Sequence, residues 1–423
     1  MNARTVDLMQ KNLKRRYAAE RRFRAFGIAS ITMALIFLVI MFTDIISTGL
    51  PAFKQTSIQV EVDLPVDSFD DPAVNDNWAY DANYRKLLKR AIMDVFPDVS
   101  GRRDTRALNK LLSPGAEYLL RDMVVADRSI IGSRITLWVP ADDDVDVFIK
   151  HSVDGEMEGT RLSDKQIGWV NALEERGLLK THFNTTFFSA GDSREPELAG
   201  IWGALSGSFY TLMITLALSF PIGVGAAVYL EEFAPKNKWT DIIEVNVNNL
   251  AAVPSIVFGL LGLAVFINFF GVPRSVPLAG GFVLTLMTLP TIIISSRAAL
   301  KAVPPSIREA ALGVGASKVQ MVFHHVLPLA LPGMLTGTII GMGQALGETA
   351  PLLMIGMIAF IVDIPQNVLE PATVLPVQIF LWADSPERAF TERTSAAIMV
   401  LLGFLVLMNA CAVYLRKRFE RQW

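Results

Sequence analysis

The 423-residue sequence holds one cysteine, Cys411, so no disulfide framework and no cysteine-based metal site can be built from it. It has no GxxxxGK[ST] segment; "GVGASKV" (313–319) looks similar, but its spacing is wrong, and the usual phosphate-cradling loop is absent. Charge is scarce as well. Asp, Glu, Lys and Arg make up 19% of the chain, against about a quarter in soluble proteins, and long segments have almost none. The formal net charge of −2 excludes a nucleic-acid-type basic surface as a whole-chain property. No A-x-A-like cleavage site follows the first apolar run, which therefore reads as an uncleaved anchor rather than a signal peptide. With redox chemistry silent, compartment has to come from topology.

What is present is apolar: 52% of the residues are hydrophobic. Six runs approach the length of about 20 residues that a bilayer-spanning helix needs: Phe26–Leu50, Tyr210–Leu230, Leu250–Phe270, Val276–Ser296, Pro332–Val362 and Ala396–Leu415. The expected fold is an all-α polytopic membrane protein of six transmembrane helices, in contact with membrane lipid, plus a small α+β extracytoplasmic domain. Basic residues set its orientation. The leader "KNLKRRYAAERRFR" and the C-terminal "RKRFERQW" place both termini in the cytoplasm. Loops 231–249 and 297–331 then fall inside, carrying Lys236, Lys238, Lys301, Arg308 and Lys318. Loops 271–275 and 363–395 fall outside, the second with Asp363, Glu370, Asp384, Glu387 and Glu392. The expected organisation is a cytoplasmic tail (1–25), a first helix (26–50), an outer domain (51–200) and a membrane core (201–423) with a cytoplasmic loop at about 301–331.

Residues 51–200 carry 18 Lys/Arg against 26 Asp/Glu, a net −8. "SIQVEVDL" alternates Ile58, Val60, Val62 and Leu64 with polar residues, as a half-buried strand does. "YRKLLKRAIMDVF" puts Leu88, Ala91, Ile92 and Val95 on one helical face, and Ser163 with Gln166 has capping-box spacing. The segment holds no nucleophile, triad or ligand cluster. Asp142, Asp143, Asp144 and Asp146 lack the glycine and distal glutamate of an EF-hand and read as a solvated acidic loop.

Between two apolar runs lies "EAALGVGASKVQMVFHHVLP" (309–328). The paired prolines of "AVPPSIR" stop the preceding helix, and Ser306 with Glu309 reads as a capping box that starts a short helix at Ile307. Ala310 and Ala311 present a flat face that another protein can approach closely. Gly315 permits a sharp turn, "SKVQMVFHHV" resumes as a second short helix, and "LPLALPG" ends it. Taken singly, Glu309 is a cap and Gly315 a hinge. Together their spacing resembles the EAA loop of ABC-importer permeases, which docks into a groove on the ATPase subunit. The family's usual isoleucine or valine three residues before the proline is His325 here.

"GAAVYLEEFAP" (225–235), "NLAAVPSIVFGLLGL" (249–263) and "GETAPLL" (347–353) resemble the Pst-type phosphate permeases, the A subunit most of all, over about residues 190–423. The resemblance implies a type I ABC importer permease core with no catalytic centre and no cofactor of its own. ATP would be bound by a dimer of ATPase subunits, and a sister permease and a periplasmic phosphate-binding protein would complete the assembly; no nucleic acid is implied. Glu309, Ala310, Ala311 and Gly315 would couple to the ATPase, whose closure would tilt the helices behind the loop.

The fifth run carries the candidate substrate residues. Gly333, Gly337 and Gly341 form a small-residue packing ridge. Gln344 and Glu348 lie one turn apart on one face, and an ionisable residue in a span is expensive and a functional candidate; a polar lock between helices is the alternative. The family's arginine four residues before this glutamate is Gln344 here. Arg297 could supply positive charge or snorkel to the interface. Pro254 and Ser255 interrupt the third run, offering either a helix N-terminus to an anion or a simple kink. The expected function is phosphate import by alternating access. Permeation of molybdate or sulfate, a receptor sensing through its outer domain, and a secondary transporter are the alternatives; the inner loops are short for a receptor's output domain, and a secondary transporter leaves the capped loop unexplained.

Overall fold

A computed structural model describes residues 3–69, 78–152, 161–357 and 360–419. Among the described residues, five helices are long and apolar enough to cross a membrane: Arg15–Phe53, Trp202–Phe233, Pro277–Ala302, Lys318–Gly347 and Ala389–Arg418. A sixth crossing requires Lys238–Ala251 and Ser255–Phe269 together, a pair bent by 102°. The core is thus helical and polytopic, with boundaries that differ from the hydropathy reading in three places.

The basic tail expected over residues 1–25 is helical from Ala3 and runs without a break to Gly49. At the other end, "RKRFERQW" is described only as far as Phe419, and its last four residues lie outside the described residues. The expected third span is broken by Pro254, which is extended (φ −56°, ψ 137°) and caps Ser255–Gly262. A proline pushes the residue before it out of helical geometry, so the chain turns there. The helix Lys238–Ala251 occupies what hydropathy reads as a loop. The expected fifth span, Pro332–Val362, ends early. Its helix stops at Gly347 because Pro351 cannot continue it: the ring would meet the carbonyl four residues back. Residues 350–357 fold instead as a short helix, Ala350–Met354, and a turn through Gly356 (φ 92°); positions 358–359 of the expected span lie outside the described residues.

The helix Pro277–Ala302 is the centre of the core and packs against Trp202–Val228 and Leu327–Gly347. Hydrocarbon lipid gives apolar side chains no reason to prefer one another, so close contact must come from shape. A Cβ on Gly337 would overlap Ser295, and one on Gly333 would lie 2.7 Å from the Ala299 Cβ. At Gly341 the nearest atoms are 3.8 Å away, an ordinary contact. The ridge therefore packs through its first two glycines.

Residues 54–183 form the α+β unit. Its sheet is antiparallel in the order β2-β1-β3, with β1 (Lys54–Asp63) between β2 (Arg134–Pro140) and β3 (Leu179–Phe183). Ile58, Val60, Val62 and Leu64 are buried as the alternation requires, against Leu88, Ala91 and Ile92 of the helix Tyr84–Val95. Gln166 Oε1 accepts from the Ser163 amide and opens the helix Asp164–Glu175. The acidic run is not a solvated loop. Asp143–Ser152 is a helix with three aspartates in its first turn, where the helix dipole favours them, and Asp146 is buried.

Asp146 faces the junction with the membrane core. Its Oδ1 accepts from the Thr56 amide at 2.7 Å, its Oδ2 meets Lys150 Nζ at 2.5 Å, and Lys150 reaches Glu392 at 3.6 Å. Arg393 donates to the Ala199 carbonyl at 2.5 Å, and Trp382 Nε1 to Asp192 Oδ1 at 2.9 Å. Phe187, Ile201, Trp382 and Phe390 fill the space between. Glu392, placed by hydropathy in an outward acidic loop, is buried here, with Lys150 Nζ at 3.6 Å and the His151 ring at 3.7 Å. The unit is bolted to the helices rather than tethered to them.

Two outcomes follow from this packing. Gly337→Val should sharply lower the yield of monodisperse chain in detergent, while Gly341→Ala should not; size-exclusion chromatography makes the comparison. The second concerns pH. Burial, then Asp143 and Glu197, push the Asp142 carboxyl up to about 8, and burial pushes Glu197 up to about 7. Both values lie above the unfolded ones, so the folded state holds more protons, and its stability falls as pH rises through these values. The melting temperature of the full chain should drop between pH 6 and pH 9, and Asp142→Asn should flatten much of that drop.

Candidate functional site

The segment 304–328 folds from its punctuation. The helix Pro305–Gly313 starts two residues earlier than the capping-box reading, and no side chain caps it. Pro305 explains this: a proline at the first helical position has its φ preset and no amide to satisfy. Ser306 and Glu309 therefore fall inside the helix. Gly315 takes φ 90°, a conformation side chains resist, and turns the chain. Ser317 then caps Lys318–Met321 in a box with Gln320 that the sequence reading missed. The prolines of "LPLALPG" do not end this helix. A π-helical turn, Val322–Val326, carries it into Leu327–Gly347, so the loop's second arm and the fifth span are one continuous rod.

The two alanines of the loop have different environments. Ala311 is buried, in a cluster with Val303, Met321, Val322 and Val326, whereas Ala310 and Glu309 are exposed. Around Gly315 the surface is apolar: Val314 is 85% exposed, and Leu312 and Val319 about half. Three such residues at one loop tip are not what a solvated hinge needs. His324 and His325 line a cleft of 660 Å3 with Pro304, Ile307 and Pro328 behind the loop.

Charge holds the loop to the spans. Arg308 donates from Nη2 and Nε to Glu232 Oε1 at 2.7 and 3.2 Å, and to the carbonyls of Val303 and Leu300 at 2.7 and 2.9 Å. Those carbonyls lie at the C-terminal end of Pro277–Ala302, where the last carbonyls run out of intrahelical donors; Leu300 also accepts from the Val303 amide at 3.2 Å. Glu232 closes the helix Trp202–Phe233, so one guanidinium joins the loop to two spans. Its neighbour Glu231 meets Arg297 at 3.4 Å and Lys301 at 3.7 Å, and Arg297 also reaches Glu244 at 2.9 Å. Sequence reading singled out Arg297 but missed Arg308 and both glutamates of "YLEEF"; adjacent carboxylates closing an apolar run were the available signal.

The remaining candidates sit at the far end of the rod. Glu348 is the C-cap of Leu327–Gly347, extended at φ −78°, ψ 124°, half-buried, and its side chain has no hydrogen-bond or ion-pair partner among the described residues. Gln344 lies one turn earlier and is exposed. Glu348 thus ends the helix rather than lying within it. Ser255 opens a helix that packs closely on the segment after Glu348: a Cβ on Gly259 would lie 2.7 Å from Pro351 Cα. The structure brings together the elements that carry Ser255 and Glu348. It holds Arg297 elsewhere, between two carboxylates.

Comparison with known proteins finds two matching regions. Residues 219–421 match the model of the binding-protein-dependent transport system inner membrane component, and residues 10–158 match a domain of unknown function (DUF3333). The probable ABC transporter permease protein YqgI of Bacillus subtilis is 35% identical over 192 residues, 43% of this chain and 65% of that protein. The phosphate transport system permease protein PstA of Haemophilus influenzae is 30% identical over 213 residues, 50% of this chain and 74% of its own. Among solved structures, the inward-facing MetNI methionine ABC transporter aligns over 52% of this chain and 98% of its own, at 20% identity and a TM-score of 0.44.

The Arg308 contacts generate a direct test. Hydrogen bonds to a charged group contribute about 1.5–3 kcal/mol each, so losing several should open the loop locally. Arg308→Gln should speed amide exchange across 305–313 by roughly ten- to a hundredfold, with the α+β unit unaffected. Hydrogen-exchange mass spectrometry reads this, and unchanged protection would dismiss the latch.

Proposed function

The chain belongs to the family of inner-membrane components of binding-protein-dependent transport systems, and from that premise we propose that it is the permease for inorganic phosphate. Components of this kind conduct substrate and are not enzymes. The observation that carries the phosphate reading is Glu348, a carboxylate unpaired among the described residues, in the "GETAPLL" segment at the end of a rod whose other end is the loop. A carboxylate at a helix C-terminus is a poor host for a fully ionised anion, since both carry negative charge. It suits one that brings a proton. Phosphate near neutral pH can donate a hydrogen bond to Glu348, and sulfate or molybdate cannot. The PstA relative supports the same substrate.

In this reading ATP stays on a partner ATPase dimer. The exposed Ala310, Leu312, Val314 and Val319 around Gly315 form the surface that enters an ATPase groove, with Glu309 beside them. Movement there passes along the rod to Gln344 and Glu348, and through Arg308 to the other two spans. Arg297 is committed to Glu231 and Glu244, so positive charge facing the anion comes from a sister permease; Ser255 offers the start of its helix. A periplasmic phosphate-binding protein delivers the substrate. The loop, both termini and "YLEEF" face the cytoplasm, and the α+β unit faces the periplasm.

Glu348→Gln should assemble normally yet lose at least about tenfold of phosphate uptake per assembled complex, the scale of one charge-assisted hydrogen bond. Uptake at the wild-type level would take Glu348 off the path. Preference for phosphate should appear as competition by unlabelled phosphate and not by molybdate or sulfate. In a Cys411→Ser background, Asp143→Cys should react with an impermeant thiol reagent from the periplasmic side and Ser317→Cys should not; the opposite pattern would reverse the orientation. Gly315→Val should release the ATPase subunits while the chain still inserts.

A further inference from the structure

A cavity of 390 Å3 opens in the α+β unit between the helices Tyr84–Val95 and Arg102–Asn109 and the turn that follows them. The unit is acidic, at −8 over residues 51–200, yet Arg85, Lys89, Arg106 and Lys110 all line this one space. They come as two pairs, each at i,i+4 on its helix, where like charges repel and weaken the helix. Arg85 also sits in the first turn of its helix, at the positive end of the dipole. Arg106 and Lys110 close the other helix, a place where cations are favoured, so helix stability accounts for them but not for Arg85 and Lys89.

Counter-charge is short. Glu117, which also lines the cavity, meets Arg85 at 3.5 Å, and Arg85 lies near Glu195, while Lys89, Arg106 and Lys110 have no ion pair among the described residues. Asp142 also lines the cavity, but burial and the neighbouring carboxylates push its carboxyl up to about 8, which weakens it as a counter-charge. Its neighbours Asp143 and Asp144 are not among the lining residues. Ser113, on the wall, donates to Glu197, which ties the cavity to the junction with the spans.

We propose that this cavity is a second anion site, separate from the transport path, which takes a phosphate group through Arg85, Lys89, Arg106 and Lys110. A tetrahedral phosphate anion, doubly charged as a monoester and singly charged as a diester, answers the repulsion between the paired cations, and guanidinium groups give it geometry as well as charge. The group can be free phosphate, a phosphomonoester or a phospholipid headgroup. The inference does not rest on what the permease transports.

Lysine footprinting on the full chain in neutral-lipid nanodiscs tests it. Inorganic phosphate should slow acetylation of Lys89 and Lys110 saturably, by about tenfold at full occupancy, and leave Lys86 and Lys180 unchanged. Glycerol phosphate and, separately, phosphatidylglycerol in the disc are the other arms; protection by one of these without protection by free phosphate keeps the site and names its source. Arg85→Gln with Arg106→Gln should abolish protection of both lysines, and Arg90→Gln, outside the cavity, should retain it. No protection in any arm, or full protection in the double variant, would overturn the proposal. The readout is independent of uptake, so a failed transport reading would not be mistaken for a failed site.

Discussion

Glu231 and Glu232 end an apolar helix with two adjacent carboxylates, and burial against the neighbouring helices makes it costly to leave them unpaired. Their partners are spread over the fold. Arg297 and Lys301 come from the last turns of Pro277–Ala302, and Arg308 from the loop beyond it. The Glu232 side chain is 7% exposed, and removing one partner of a buried pair costs about 3–5 kcal/mol. The pairing therefore does two things at once. It decides how the ends of two spans meet, and it fastens the loop to both.

The rest of the loop geometry builds on that anchor. With Arg308 holding one arm, the other arm is free to be a rod, because the π-turn at Val322–Val326 lets the helix pass Pro328 and Pro332 without stopping. Small residues let the rod lie close on the central span at Gly333 and Gly337. From Lys318 to Gly347 the chain is one continuous helix, which runs from the turn at Gly315 to Glu348. The α+β unit is joined by the same kind of contact, through Lys150 and Glu392.

Different parts of this architecture were legible to different degrees. Alternation at Ile58–Leu64 and the helical face of Leu88, Ala91 and Ile92 were readable, because burial on one side leaves a period in the sequence. The loop was readable from Pro304–Pro305 and Gly315, whose backbone limits are intrinsic. The capping box at Ser306 was a misreading, since a proline at the first position makes the same motif redundant. Hydropathy overran Gly347 because Pro351 is nearly neutral on such scales while being decisive for the backbone. Glu392 and Asp146 looked exposed because their charge was visible and their partners, far away in sequence, were not.

By itself the sequence determined the helical membrane class, the small α+β unit, the turn at Gly315 and the family, since these depend on local backbone limits, periodicity and motif spacing. Only the tertiary structure decided that Arg297 is spoken for, that Arg308 is the latch, that Ala311 faces inward while Ala310 faces out, and that Glu348 ends its helix without a partner among the described residues. Each of those is a statement about which charges and surfaces meet across more than fifty residues or across a helix end. Charge pairing acts through space, and a sequence records only the charges.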